Sequence, residues 1–275
     1  MKRLTLGLAF AAALSAQSGA PPTYDYDAAT PGTQAPLSPL LAGYTYRSVR
    51  TYQVAIPVLV PLQELQAALP PGYIPVATPA GSNTATIALT FFLDQRFQPA
   101  VGGQTYGPAT ALLATTTVMN NSLATPRMEI VFPIFETAAG EAELNAAFGP
   151  GSARTAKVNA SLEEEDGKLH FKFKVKDKGI GMDIVASAVG SMDINTRSVS
   201  DPVGLPFRAL NGFQGNQAFR GASQSDTLVL SAQAAKAKVD TPGDRLQMKT
   251  GSVTIVGIGP NVTFSRGVEF VIKFE

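Results

Sequence analysis

The stretch SLEEEDGKLHFKFKVKDKG, Ser161 to Gly179, holds the chain's only histidine, an acidic run and five of its eleven lysines. Such a mixture could support acid–base chemistry at His170, bind a cation through Glu163, Glu164, Glu165 and Asp166, or hold an anion with its lysines. The spacing argues for a different reading. Asp166-Gly167 is a two-residue hairpin signal, because glycine takes positive φ at little cost. If it pairs Glu165 with Lys168, alternation sets Glu163, Ser161, Asn159 and Lys157 against His170, Lys172, Lys174 and Lys176. The other face pairs Leu162 with Phe171, Ala160 with Phe173 and Val158 with Val175. One polar face and one apolar face is the pattern of a half-buried antiparallel pair. The lysines then form a solvated face that also discourages edge-to-edge association. A binder of single-stranded nucleic acid would expose aromatics among its lysines, whereas these phenylalanines share the apolar face.

His170 faces Glu163 in this register, as a surface pair rather than a general base. With one histidine and no cysteine, histidine-rich zinc sets, thiolate sites and cysteine nucleophiles are excluded. The run EEED before Gly167 lacks the alternating ligand spacing of a calcium loop, so no metal is expected. GIGPN, Gly257 to Asn261, lacks the glycine pattern, lysine and following helix of a phosphate loop and reads as a turn between strands. No G-x-S-x-G elbow occurs, and no cofactor motif is found. Two carboxylates at strand ends, Asp94 and Glu136, remain as weak catalytic candidates, with a solvated strand end as the alternative. Arg47 and Arg50 open a strand beside Tyr46 and Tyr52, a set suited to a carboxylate or other oxyanion. A surface salt bridge is their plainer role. Phe91, Phe92 and Tyr106 are candidates to line an apolar cavity, or plain core.

The elements that must position these residues are mostly short strands. TYRSVRTYQVAIPVLV from Thr45, ATIALTFFLDQRF from Ala85, ATALLATTTVM from Ala109 and MEIVFPIFE from Met128 are rich in β-branched and aromatic residues. Pro57 marks a bulge or an edge position. DTLVLSAQAAKAKVD, GSVTIVGIGP and GVEFVIKFE continue the pattern to the end of the chain. Two short helices are expected. One is LQELQAAL after Pro61, stopped by Pro70-Pro71-Gly72, and the other is GEAELNAAF from Gly140 to Phe148. Many strands with Gly and Pro turns and two modest helices predict a mainly β fold, a single antiparallel barrel or cone over residues 40–275.

The first twenty residues, MKRLTLGLAFAAALSAQSGA, have the charged start, short apolar run and small residues of a secretory signal peptide. Pro21 to Pro39 carries five prolines and reads as an extended N-terminal segment. Losing Lys2 and Arg3 with the leader takes the 22 basic residues to 20, against 21 acidic ones. That balance offers nucleic acid no electrostatic footprint. No later run is long and apolar enough to be a membrane-spanning helix. An exported protein, periplasmic, secreted or at the cell surface, is expected.

The order R-T-Y-Q-V-A-I-P-V from Arg50, the helix L-Q-E-L-Q-A-A-L, P-P-G-Y-I-P-V and the strand A-L-T-F-F-L-D resembles the acetoacetate decarboxylase-like superfamily over residues 44–190. The resemblance implies a β-cone around a small-acid pocket, with Arg50 in the place of the arginine that holds the substrate carboxylate. It also implies a Schiff-base lysine activated by a neighbouring lysine. No lysine occurs between Lys2 and Lys157, and the segment that should carry the pair reads IFETAAGE. The family's active-site glutamate is missing from GGQT, Gly102 to Thr105. The resemblance therefore implies the fold without the imine chemistry.

The sequence favours binding of a small organic, carboxylate-bearing ligand in an apolar cavity by Arg50, Arg47, Tyr52, Phe92 and Tyr106. A carboxylate-based lyase or hydrolase of the same superfamily, using Asp94 or Glu136, is the alternative. A structural envelope protein is the third reading.

Overall fold

The computed structural model describes residues 15–16, 46–99, 106–119, 127–131, 134–136, 153–177, 182–190, 198–200, 207–209, 219–248 and 251–274. The longer strands are β1 (Tyr46–Pro61), β2 (Thr84–Pro99), β3 (Tyr106–Met119), β4 (Arg127–Val131), β5 (Ile134–Glu136), β6 (Lys157–Glu165), β7 (Lys168–Asp177) and β8 (Met182–Gly190). They are followed by β9 (Phe219–Ser231), β10 (Lys238–Asp240), β11 (Arg245–Met248), β12 (Gly251–Thr254) and β13 (Asn261–Phe274). One α-helix, α1 (Leu62–Ala68), is present among the described residues. The expected helix over 140–148 lies outside them, as do nearly all of the leader and the Pro-rich segment.

The large sheet runs β9, β13, β1, β2, β3 and β4 through antiparallel pairs. A short strand, Phe207–Ala209, pairs in parallel with β4 and sets Phe207 opposite Phe219 of β9. The mainly β, antiparallel class is the one expected. Pro57 sits buried inside the sheet rather than at its edge. Its missing N–H falls where one partner gives way to another: β13 accompanies β1 as far as Ala55, and Gly257–Ile258 takes over at Val58. The Pro57 carbonyl accepts the Gly259 N–H at 2.8 Å. A Cβ at Gly259 would lie 2.9 Å from the Pro57 ring, so the turn after Ile258 requires glycine.

A second sheet holds β6, β7, β8 and β10. Its hairpin has the register read from the sequence, with Lys168 opposite Glu165, His170 opposite Glu163 and Lys176 opposite Lys157. Asp166 and Gly167 both have positive φ, 52° and 70°, as a type I′ turn requires. Leu169, Phe171, Phe173, Val175 and Asp177 are buried while Lys172, Lys174 and Lys176 are exposed. The alternation fades on the edge strand β6, where Val158 and Leu162 are half-buried and Ala160 is exposed.

The apolar face of this sheet covers one face of the large sheet. Val54, Ile56, Val58 and Val60 of β1, Ile87, Leu89 and Phe91 of β2, and Leu112 of β3 meet Phe171, Phe173, Val175, Ile184, Ala186 and Ala188 in one core. Phe91 lies at its centre, its ring centroid 5.3 Å from that of Phe171 and 4.7 Å from that of Phe173. Such tilted aromatic contacts add to the area they bury. Helix α1 closes one end of this core with Leu65 and Ala68. Gly190 is needed at the other, since a Cβ there would come 2.8 Å from the Phe264 ring.

Truncation of Phe91 to alanine should therefore cost about 3–5 kcal/mol in urea unfolding. Lys172→Ala, on the wet face one residue from Phe171, should stay within about 0.5 kcal/mol of the parent protein.

Candidate functional site

Because side chains alternate along a strand, committing Val54, Leu89, Phe91 and Leu112 to the inter-sheet core sends their neighbours to the opposite face of the large sheet. That second face is buried too, but its chemistry differs. Gln53 stands beside Phe92, and Phe92 beside Ala111. Ala55 stands beside Thr90, and Thr90 beside Leu113. Ser265 flanks Gln53, and Thr263 flanks Ala55. Thr115 follows, next to Ala88. Gln53, Thr90, Phe92, Thr115, Thr263 and Ser265 are all between 1% and 5% exposed. The first face is lined by aliphatic and aromatic groups; the second has an amide and four hydroxyls set among small residues.

Buried polar groups ordinarily find partners. Gln53 and Ser265 do take part in such contacts. The hydroxyls of Thr86, Thr115 and Thr263 find no hydrogen-bond partner. An unpaired buried hydroxyl costs roughly 1–3 kcal/mol, so three along one face make a surface that would gain from a polar guest. No charged side chain is among the buried residues of this face that the structure describes. The arrangement suits a small, uncharged or singly charged polar molecule held by hydroxyl and amide hydrogen bonds.

Of the residues singled out from sequence, Phe92 lies in this face. Tyr52 is half-buried opposite Leu93 and Arg266 and shares the parity of Val54, which places it across the sheet from Phe92. Phe91, read as a cavity candidate, belongs to the inter-sheet core. The positions of Arg47, Arg50, Asp94, Tyr106 and Glu136 are described through the backbone alone. Arg50 pairs with Val268 and is an odd step from Gln53, whereas Arg47 is an even one. Tyr106 pairs with Phe97. Glu136 pairs with Ala111, whose other neighbour is Phe92, two residues before Asp94. The register sets Glu136 two strands from Phe92 in the row through Gln53, and Asp94 two residues beyond Phe92, within an irregularity of the β2–β3 pairing. It separates Arg50 and Tyr52 from that row by one step of alternation.

The threonines, Ser265 and Gln53 were missed because they look like ordinary strand residues. Their signal is hydroxyl residues that share one parity within a strand: Thr86 and Thr90 in ATIALTFF, Thr115 and Thr117 in ATTTV, Thr263 and Ser265 in NVTFS.

Two ionic clusters elsewhere are explained by structure. Arg154 Nε donates to Asp177 Oδ2 at 2.6 Å, tying the strand Ala153–Thr155 to the end of β7. Glu64, in the first turn of α1, accepts the Thr254 backbone N–H at 2.8 Å and the Thr254 hydroxyl at 3.0 Å. Arg245 donates to Thr254 Oγ1 at 2.9 Å and lies 3.5 Å from Glu64. The cluster clamps the helix to the β11–β12 hairpin. The Thr254 N–H, then its hydroxyl, and Arg245 least, hold the Glu64 carboxyl below the ordinary carboxylate range against an opposing effect of burial.

No protein-family model matches the chain, and no curated protein matches it. By shape it is similar to the crystal structure of acetoacetate decarboxylase from Legionella pneumophila subsp. pneumophila str. Philadelphia 1, with a TM-score of 0.51 and 14% identity, over 84% of this chain and 85% of that one. It is also similar to the enduracididine biosynthesis enzyme MppR, with a TM-score of 0.54 and 11% identity, over 84% of this chain and 88% of that one. That structure holds the condensation product of pyruvate and imidazole 4-carboxaldehyde. The chain has the acetoacetate decarboxylase-like fold.

The Glu64 clamp has a definite pH signature. A carboxyl held low in the folded state contributes stability that is full above its unfolded value and lost as pH falls through the folded one. Glu64→Gln should lower Tm at pH 7, modestly because more than a third of the side chain is exposed. The difference between variant and parent should close as the pH drops below the carboxylate range. Paired melting curves across that range check it.

Proposed function

We propose that this protein binds a small polar organic molecule, such as a keto or hydroxy acid, on the second face of its large sheet, without forming a Schiff base. The observation that carries the reading is the buried row of Gln53, Thr90, Thr115, Thr263 and Ser265, with two of its hydroxyls unpaired. The lysines argue in the same direction. An imine-forming lysine works when it is desolvated, and Lys157, Lys168, Lys172, Lys174, Lys176, Lys236 and Lys238 are all exposed. The likeness to MppR, solved with a pyruvate-derived product, supports the ligand class.

A cone-shaped sheet is part of this reading. The run of pairings from β9 through β13, β1, β2, β3 and β4 to Phe207–Ala209, with Phe207 opposite Phe219, supports a sheet curled around its polar face. Arg50 and Arg47, the anchors expected from sequence, stand on β1 opposite Val268 and Val271 and are the candidates to hold a carboxylate. Export to the periplasm, cell surface or medium rests on the leader pattern of residues 1–20.

A second reading has one observation in its favour. Glu136 stands beyond Ala111 in the Gln53–Phe92 row, where a carboxylate, with Asp94 farther along β2, could serve a lyase that moves protons without an imine.

Native mass spectrometry of the mature protein from its own host should show a stoichiometric small molecule. Titration calorimetry with pyruvate and acetoacetate as probes should give saturable binding. Thr115→Val and Thr263→Val should each weaken it about tenfold, the equivalent of one hydrogen bond. Borohydride should leave no probe attached to the chain. A clean apo mass together with no binding of either probe would refute the reading. Carbon dioxide release from acetoacetate, abolished by Glu136→Gln, would establish the lyase instead.

A further inference from the structure

Among the described residues, the second sheet ends on an unpaired edge. Its order is β10, β8, β7, β6, and among the described residues β6 pairs only with β7. In a two-residue hairpin the pair flanking the turn exchanges both backbone hydrogen bonds, and bonding alternates from there. Glu165, Glu163, Ser161, Asn159 and Lys157 therefore bond inward to β7. The N–H and C=O groups of Glu164, Leu162, Ala160 and Val158 face outward.

That edge is also where the apolar face is left unfinished. Phe171, Phe173 and Val175 on β7 are buried, but their partners on β6 are not: Leu162 and Val158 are half-buried and Ala160 is exposed. A further strand laid along β6 would cover them.

The sequence of β6, KVNASLEEE, specifies what that strand should be. Laid antiparallel on itself about Ser161, it sets Lys157 opposite Glu165, Asn159 opposite Glu163 and Ala160 opposite Leu162. The outward-facing pairs, Ala160 with Leu162 and Val158 with Glu164, fall at the hydrogen-bonded positions. The apolar side chains then form one strip across the axis, and unlike charges meet at both ends. A shift by two residues breaks the Lys157–Glu165 match or leaves strand unpaired. Edge charges normally block such pairing; here they are arranged to complement a second copy.

We propose that two copies of this chain associate through β6, antiparallel with Ser161 on the two-fold axis, joining their four-stranded sheets into one of eight strands. The interface is isologous, so each copy contributes both the lysine and the glutamate of the two end pairs.

Sedimentation velocity on the full chain, over about 1 to 100 µM, should show a monomer–dimer equilibrium that weakens with salt. Lys157→Glu should raise the dissociation constant at least tenfold, and so should Glu165→Lys. The double reversal, Lys157→Glu with Glu165→Lys, should restore it to within about threefold, since the end pair is only inverted. Ala160→Pro removes an outward N–H that the hairpin does not use. It should abolish the dimer while leaving the circular dichroism spectrum and Tm near those of the parent. The chain has no cysteine, so Ser161→Cys introduces a single thiol, on the axis at a non-hydrogen-bonded pair whose Cα separation fits a disulfide. Mild oxidation should yield a covalent dimer from Ser161→Cys and not from Asn159→Cys. A monomer throughout the range would overturn the proposal. So would a dimer indifferent to the charge reversals, or equal cross-linking at both cysteine positions.

Discussion

The contact of Phe91 with Phe171 and Phe173 is the constraint from which the rest follows. These rings join the hairpin to the centre of the large sheet, and with the surrounding valines and leucines they commit one face of β1, β2, β3 and β13 to the inter-sheet core. Period-two geometry then leaves no choice for the residues between. Thr90 and Phe92 must look the other way because Leu89 and Phe91 do not. The polar row is thus fixed in place by an apolar contact on the far side of the sheet.

A strand buried on both faces usually reads as a continuous run of Val, Ile and Leu. Here β-branching is kept and half of it is made polar. Threonine packs like valine on a pleated surface but brings a hydroxyl, so Thr90, Thr115 and Thr263 sustain strand structure while preparing hydrogen-bonding positions. The cost is the hydroxyls of Thr115 and Thr263, which find no partner, a local departure from the usual accounting of buried polar groups. Among the residues whose side chains are described, the charged groups lie elsewhere. Lysines line the wet face of the second sheet, and the Glu64–Arg245 and Arg154–Asp177 pairs are used for docking elements together.

The hairpin was legible to the residue because three signals agree there: Asp-Gly at the turn, strict alternation on both strands, and one face open to water. The boundaries of α1 were legible for a similar reason, with proline before it and Pro70-Pro71-Gly72 behind. The central strands gave less away. In TYQVAIPV or ATIALTFF both faces are buried, so hydrophobic periodicity cannot say which residues meet the other sheet. Tyr52, Phe91 and Phe92 were grouped by residue type, and register separates them. Arg50 stood out through its place in a resemblance, and the register sets its backbone opposite Val268. The polar residues that do share a face were overlooked, since an isolated threonine in a strand carries no chemical signature of its own.

The packing of this fold places loose demands on sequence. What the large sheet needs is an alternation of bulky residues toward one side, a proline at a partner change, and glycines at positions 190 and 259 where neighbours approach closely. Each requirement can be met by many sequences, which is why a shared shape coexists with 14% identity. Imine catalysis needs something far narrower, one amine at one place, stripped of water. A single substitution removes it without disturbing the packing that holds the sheet. In this chain the stretch expected to supply that amine, IFETAAGE, holds no lysine, and the lysines whose surroundings are described stand in solvent. The polar row, by contrast, is compatible with strand structure at every position, because threonine packs on a pleated sheet much as valine does.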